Sequence, residues 1–527
     1  MPAFVTDQFR ILNTNNFINS INTGSDNYYV FVGLSNPNQN SFGRNQYWDS
    51  PDLVDANEAV LPNPTDNFDY LPHYGNTMLY GKKVTTQSLR RSIRKIEWTQ
   101  NVKYDMYRHD YSVSYPSAVT NRSRLYDSNY YVINSQFQVY ICISNGSSGI
   151  NTTGNQSQDE PLFTDFEPSK AGNSGDGYIW KYLFTVPPTD IIKFDSTEYI
   201  PLPNDWQTSN LSQIVSVREN GDSELNNNQI KFVYIDKPGS NYSSGEVDIF
   251  GDGTGARVFI EVNENGEIEN TTVTVGGSGY TYGIVDLGPL QTSDTIPFPA
   301  KLIPIIPPSK GHGYDLYREM GADKVLIYTR FDDSSRDFPV DTKFSQIGIV
   351  KNPTKFISTE SYIDDRFSAL SSLKVIPQGQ NLPTVGEKIK QTLSNGNTAV
   401  GYVASYDRET RVLKYFRDRS LYYNQSTYDQ TDYVGISSSS NASIDFNISG
   451  GSIIGTSSGF VASINSSFQN STLSIQNKII NLDVSFVNGI AKPEINKTSG
   501  DIIYIDNRPL VQRNSRQKED IKIILEF

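Results

Sequence analysis

Apolar and polar positions along this chain alternate far more often than they recur at helical spacing, so strands are the elements the sequence predicts. The closing D-I-K-I-I-L-E-F shows it plainly, with Ile521, Ile523, Leu525 and Phe527 on one side and Lys522 and Glu526 on the other. Burying those four side chains is worth about 6–12 kcal/mol before entropy, enough to stitch a terminal strand into a sheet. N-Y-Y-V-F-V-G-L-S (residues 27–35) reads as a strand closed by the turn-rich N-P-N-Q-N-S-F-G. Further strands fall around residues 130–143 and 178–186, with a Gly-, Asn-, Ser- and Asp-rich loop (145–160) between them. Pro187-Pro188 ends the latter strand, because proline offers no N–H to a ladder.

Helical spacing occurs in few places. Over residues 4–21, Thr6 is placed to cap, and Phe9, Leu12, Phe17 and Ile21 share roughly one side. Leu89, Ile93 and Ile96 predict a short amphipathic helix whose solvated face carries Arg90, Arg91, Arg94 and Lys95. Tyr314 to Met320 reads as a short helix feeding a buried strand over residues 325–330.

Two stretches repeat. I-K-F-V-Y-I-D-K-P-G-S-N-Y recurs 38 positions later as I-E-N-T-T-V-T-V-G-G-S-G-Y, matching Ile230 to Ile268, Ile235 to Val273, Gly239 to Gly277 and Tyr242 to Tyr280. Between the copies, E-V-D-I-F-G-D-G-T-G-A-R-V-F-I-E-V predicts two strands joined at a glycine turn. Each copy is too small to bury its own face, so the two are expected to pack as one β module. A fainter pair, G-Y-V-A-S (401–405) and G-F-V-A-S (459–463), points to a second duplicated β unit between about 371 and 480.

Composition sharpens this. A chain of 527 residues exceeds the size at which one core keeps growing, so two to four domains are expected. Its 33 Tyr and 26 Phe supply large buried area per residue and suit pleated sheets, and 38 Gly with 26 Pro punctuate short strands. The fold class read from this is mainly β: multidomain, with β-sandwich and β-barrel-like modules and a few short helices. A net charge of −13 speaks against nucleic acid, whose phosphates need clustered cations. Cys142, the single cysteine, sits among alternating apolar residues and reads as a buried small hydrophobe; no intrachain disulfide or thiolate metal cluster is available. No secretory pattern or 18-residue apolar run is seen, so neither export nor membrane insertion is expected.

Chemistry is hard to find. His73, His109 and His312 share no metal-ligand spacing, and His312 between two glycines reads as a turn or packing histidine. G-T-S-S-G (455–459) matches a nucleophile elbow around Ser457 in form only, since no later His follows the hydrolase order; it reads as a loop. G-D-G-T-G (251–255) lacks the lysine of a phosphate cradle and reads as a hairpin turn. Asp248 and Asp252 lack calcium-loop spacing. The adjacent carboxylates Asp332 and Asp333, or Glu519 and Asp520, point to opposite sides of a strand rather than across a cleft. No catalytic, cofactor or metal residues are assigned.

Two segments carry more identity than chemistry. The first is S-G-D-G-Y-I-W-K-Y-L-F-T-V-P-P, with Gly175, Asp176, Gly177, Tyr178, Trp180, Tyr182, Leu183, Phe184, Pro187 and Pro188. The second is I-Y-x-x-N-R-P, with Ile503, Tyr504, Asn507, Arg508 and Pro509, followed by the apolar closing strand. Together with V-T-x-x-F-R…N-F-x-N-S-I at residues 5–21, they resemble the baseplate wedge subunit family, gene product eight, of T-even-like contractile-tailed bacteriophages. The resemblance covers roughly the first 205 residues and the last 30. H-G-Y-D-L-Y-R-E-M-G-A resembles segments of longer, marine-type relatives, which makes the chain an enlarged member.

What the resemblance implies is a β-rich homodimer that binds other wedge proteins. It would be made in the host bacterial cytoplasm and built into the virion at the tail baseplate. The domains then expected are a core of residues 1–205 completed by strand 500–527, and a repeat module at 206–300. A small α+β segment follows at 301–370, a second β-repeat module at 371–485, and a returning segment at 486–527. Within this picture Gly175 and Gly177 allow a turn, Trp180 and Tyr182 pack beneath it, and Arg508 locks a turn through backbone carbonyls. Two other classes compete: an adhesin-like tail protein holding host glycans on exposed aromatics, and a polysaccharide depolymerase, which would need two carboxylates in a cleft.

Overall fold

A computed structural model describes residues 5–33, 74–75, 78–221, 228–293, 298–332, 343–385, 387–417, 444–475, 478–482, 484–497, 499–512 and 517–527. The chain is mainly β: several sheets, one of them closed into a barrel, with few helices among the described residues. It divides into two compact units. The first holds Met1–Asn16, Leu89–Ile327 and Ile523–Phe527; the second holds Phe17–Ser88 and Tyr328–Lys522.

In the first unit, one antiparallel sheet runs in the order Tyr131–Ile133, Gln138–Asn145, Tyr178–Thr185, Ser169–Lys170. Both faces of its two long strands are buried, Cys142 included, because aromatic and β-branched residues occupy both alternating sets. A second sheet orders Glu519–Glu526, Lys324–Phe331, Leu89–Arg94 and Tyr199–Leu202. The terminal strand is thus paired, with Ile521 and Ile523 buried and Lys522 exposed between them.

The expected helix around Arg90 is instead the strand Leu89–Arg94. Its inward set is Leu89, Arg91 and Ile93. An arginine can sit there because its guanidinium donates to Asn15 Oδ1 at 2.8 Å and lies 3.9 Å over the Tyr317 ring. Arg90 faces the other way and holds Asp190 with two bonds of 2.8 and 3.0 Å. The i, i+4 spacing of Leu89 and Ile93 fits a strand as well as a helix; partners for the cations settled the matter.

The N-terminal helix, Asp7–Asn22, is capped by Thr6 Oγ1, which accepts from Phe9 N at 3.3 Å. Its buried side carries Ile11, Thr14, Phe17 and Ile18, while Phe9 and Leu12 are half exposed, contrary to the face predicted.

The repeat lies in the first unit as a four-stranded sheet, Ile268–Ser278, Thr254–Val262, Gly245–Gly251, Gly283–Val285, beside the pair Lys301–Pro304 and Val233–Lys237. Ile230, Ile268, Ile235, Tyr242 and Tyr280 share one buried cluster, so the two copies do pack together. The glycine turn joins Gly245–Gly251 to Thr254–Val262 as a hairpin.

The second unit contains a five-stranded sheet, Arg366–Ser368, Met78–Lys83, Tyr28–Gly33, Lys343–Lys351, Asp501–Gln512. The turn predicted after Gly33 lies outside the described residues. Beyond it, six strands close on themselves: Val412–Arg417, Thr398–Asp407, Lys388–Thr392, Ile453–Gly455, Val461–Ile464 and Ser371–Pro377, which pairs back to the first. Among the described residues, closure pairs every strand of this barrel on both sides. Leu373, Ile389, Val403, Leu413, Phe460 and Ala462 fill its interior. The likeness of 401–405 to 459–463 is positional only in part: Gly401 lies within a strand, whereas Gly459 precedes one at φ +69°.

Candidate functional site

The motif of residues 174–188 is built from a turn outward. Gly175 and Gly177 hold φ +73° and +85°, a region that a side chain disfavours. At Gly177 space is also short, since a Cβ would stand 2.8 Å from Gly146 Cα. Between them Asp176 clamps the turn: one carboxylate oxygen accepts from Gln158 N at 2.8 Å, the other from Tyr178 N at 3.0 Å. The Tyr178 hydroxyl donates to the Asn155 carbonyl and accepts from Tyr104 N, both at 2.9 Å.

Along the strand the same face carries Trp180, stacked on Tyr178 with centroids 5.3 Å apart, then Tyr182. Tyr182 exchanges a hydrogen bond with Thr185 at 2.8 Å and accepts from Gln213. Burial raises the pKa of both phenols. On the opposite face Lys181 is equally buried; its ammonium donates to Asn220 Oδ1 at 2.5 Å and to the Phe166 carbonyl. Burial pulls that lysine down to about 8. Pro187 then caps, and Pro188 opens, the helix Pro188–Phe194, where a missing N–H is harmless.

The second motif lies in the other unit, on the strand Asp501–Gln512. Tyr504 stands opposite Ile349, and Asn507 Oδ1 accepts from Gln346 Nε2 at 2.9 Å. Arg508 projects outward from the strand, and its guanidinium meets the Asp506 carboxylate at 2.6 Å rather than a turn carbonyl. Pro509 continues the strand. Ten of the fifteen singled-out residues therefore act together around Tyr178, and five share one strand elsewhere. Those of the first motif with described contacts hold backbone or pack rings, whereas Asn507 and Arg508 meet the side chains of Gln346 and Asp506.

The residues with latent chemistry are similarly occupied. His312 Nδ1 lies 2.5 Å from Glu319 Oε1, and its ring meets Tyr107 edge-on at 4.7 Å. The other Glu319 oxygen accepts from Gly313 N at 2.7 Å, and Trp206 donates to the Gly313 carbonyl at 3.0 Å. His312 is a packing histidine. A cavity of about 680 Å³ opens nearby, lined by Tyr107, His109, Tyr126, Lys310 and Arg318 among others. His109 accepts from Ile306 N at 3.2 Å, and burial lowers its pKa, which disfavours the protonated ring.

The serine loop at 455–459 folds over the carboxylate of Glu387. One Glu387 oxygen accepts from Ser457 N at 2.9 Å and from Ser458 N and Oγ at 2.8 Å; the other accepts from Thr384 N at 2.9 Å. Ser457 thus supplies a backbone donor, and the loop reading holds. Glu387 was missed in the sequence, where one glutamate among barrel residues gives no signal. Lys181 was missed as well; its break in an apolar strand was the one signal available. His73 and Asp333 lie outside the described residues. Among the described residues no three His, Cys, Asp or Glu side chains converge as metal ligands, and no helix is long and apolar enough to cross a membrane.

No family model matches the chain. Among curated proteins it is similar to the baseplate wedge protein gp8 of Enterobacteria phage T4, with 27% identity over 220 residues. That alignment takes in 38% of this chain and 60% of the phage T4 protein, less than two thirds of the relative's length.

Proposed function

We propose that this chain is a structural subunit of the baseplate wedge of a contractile phage tail. It dimerises, binds neighbouring wedge proteins during assembly and has no catalytic role. The observation that carries the reading is the distant sequence likeness to a wedge protein. It is supported by the use of the 174–188 residues, which fix a turn and pack rings, and of the 504–509 residues, which lie along one sheet strand, with no reactive group poised among them. The repeat module at 206–300 and the β-repeat region at 371–485 are additions to a wedge core in this reading, as in an enlarged, marine-type member. Synthesis takes place in the bacterial cytoplasm and the finished protein resides in the virion.

The test is size-exclusion chromatography with light scattering on the purified chain, alone and mixed with the neighbouring tail proteins of the same phage. A dimer that enters a larger complex is expected. A monomer or trimer that ignores those proteins and binds host cells would sink the proposal.

A further inference from the structure

The repeat module turns one unusual face to solvent. In the ladder between Gly245–Gly251 and Gly283–Val285, Ile249 and Val285 are buried, and the next pair, Phe250 opposite Ile284, points outward. Phe250 is 60% exposed, Ile284 67% and Tyr282, two residues along on the same side, 56%. Scattered exposed apolar residues need no explanation, but three large ones gathered on one ladder and the bend that leads into it mark a contact surface. Tyr282 is held in place: Asp252 Oδ1 accepts from Tyr282 N at 3.2 Å and from Thr281 N at 2.9 Å.

The rim of this patch is mostly acidic, with the cation Arg257 standing across the ladder from Asp248. Asp286 donates its N–H to the Asp248 carbonyl at 3.2 Å. This continues the ladder by one pair, so two aspartates stand opposite each other beside Phe250 and Ile284. Like charges directly across a ladder are unfavourable in the free chain. Arg257 is shared between Glu246 at 3.3 Å and Asp248 at 3.8 Å, which leaves Asp286 and Asp252 unmatched by it. Asp252 stays ionised, held at about 2 by its bonds to Thr281.

We infer that this face docks a cationic protein surface, one with an apolar centre bordered by lysine or arginine. A basic rim would relieve the Asp248–Asp286 repulsion and cover the three apolar side chains at once. A second copy of the chain is a poor occupant, because its net charge is −13 and it would bring another acidic rim. The inference rests on the wedge reading for where the partner is found.

The experiment compares purified phage tails with the free protein, using carbodiimide cross-linking and hydroxyl-radical footprinting read by mass spectrometry. The expected result is protection of Phe250 and Tyr282 in tails and a cross-link from Asp248 or Asp286 to a lysine of a different tail protein. Asp286→Asn is expected to melt no lower than wild type when free, yet to enter tails about tenfold less efficiently. If the chain is in tails but the patch reacts as in free protein, or cross-links only to its own copies, the docking inference fails and the wedge reading stands. Protection of the patch by host polysaccharide alone would also overturn it. Absence of the chain from tails would remove both.

Discussion

Gly239 and Gly277, equivalent in the two copies of the repeat, hold the same left-handed backbone, φ +64° at each. Each packs against the main chain of an alanine: a Cβ would stand 2.5 Å from Ala300 N at Gly239 and 2.6 Å from Ala256 N at Gly277. The same alanine N–H groups donate to the repeat tyrosines, Ala300 to Tyr242 and Ala256 to Tyr280, at 3.1 Å in both cases. Glycine and tyrosine three residues on thus form one device, used twice. The glycine lets a neighbouring backbone segment approach, and the buried phenol satisfies the amide that the approach brings in.

That geometry separates two costs of substitution. Gly239→Ala and Gly277→Ala combine an unfavourable φ with a backbone clash, and each should lower stability by about 2–4 kcal/mol. Gly255→Ala meets the φ penalty alone, since nothing lies within 4 Å of its Cβ position, and should cost about 1–2 kcal/mol. Urea denaturation midpoints rank the three. Equal losses at Gly255 and Gly277 would mean the close approach is absent.

The barrel has an acid-sensitive latch in Glu387. Burial raises its pKa and the bonds from Ser458, Thr384 and Ser457 lower it, with a net result below the ordinary value of 4.5. A depressed carboxylate stabilises the fold above its unfolded pKa and loses that contribution as pH falls through the folded value. Glu387→Gln should therefore cost about 1.5–3 kcal/mol at pH 7, as expected for bonds to a charged group. The gap from wild type should shrink below about pH 4.5. Thermal melts of both proteins from pH 7 to 3 measure it, and a gap that stays constant would show that the charge is irrelevant.

How much of this was legible follows from what each residue contends with. A run of aromatic and apolar residues exposed the strand at 178–185, and alternation exposed the one at 519–526, with no competing pattern to interrupt either. It failed at Leu89–Arg94, where inward Arg91 mimics the polar side of a helix until Asn15 and Tyr317 are known to receive it. The helix face was misread at Phe9 and Leu12 for the opposite reason, since nothing local distinguishes an apolar residue left in water from one that is buried. The first repeat was visible because glycine and tyrosine are each required by backbone geometry. Closure of the barrel was not, because it depends on a pairing between Ser371–Pro377 and Val412–Arg417 that no local pattern encodes. The turn around Asp176 announced itself through its glycines, whereas the partners of the carboxylate, Gln158 and Tyr178, emerge only in three dimensions.

Lys181 supplies the sharpest pH test. Its ammonium is bound by neutral oxygens, Asn220 Oδ1 and the Phe166 carbonyl, inside an otherwise apolar strand. Burial lowers its pKa from 10.5 to about 8, with Glu167 opposing the shift. Below pH 8 the folded and unfolded chains both hold the proton, so the residue adds no pH dependence. Between pH 8 and 10.5 the folded chain has released a proton that the unfolded chain keeps, and stability must rise with pH across that window. Lys181→Met lacks the group, so the stability of wild type relative to the variant should climb by about 1–3 kcal/mol from pH 8 to 10.5. Other lysines and tyrosines titrate in both proteins and cancel in the difference. Paired urea titrations at pH 7, 8, 9 and 10 provide the measurement; parallel curves would show that Lys181 keeps an ordinary pKa and reaches water.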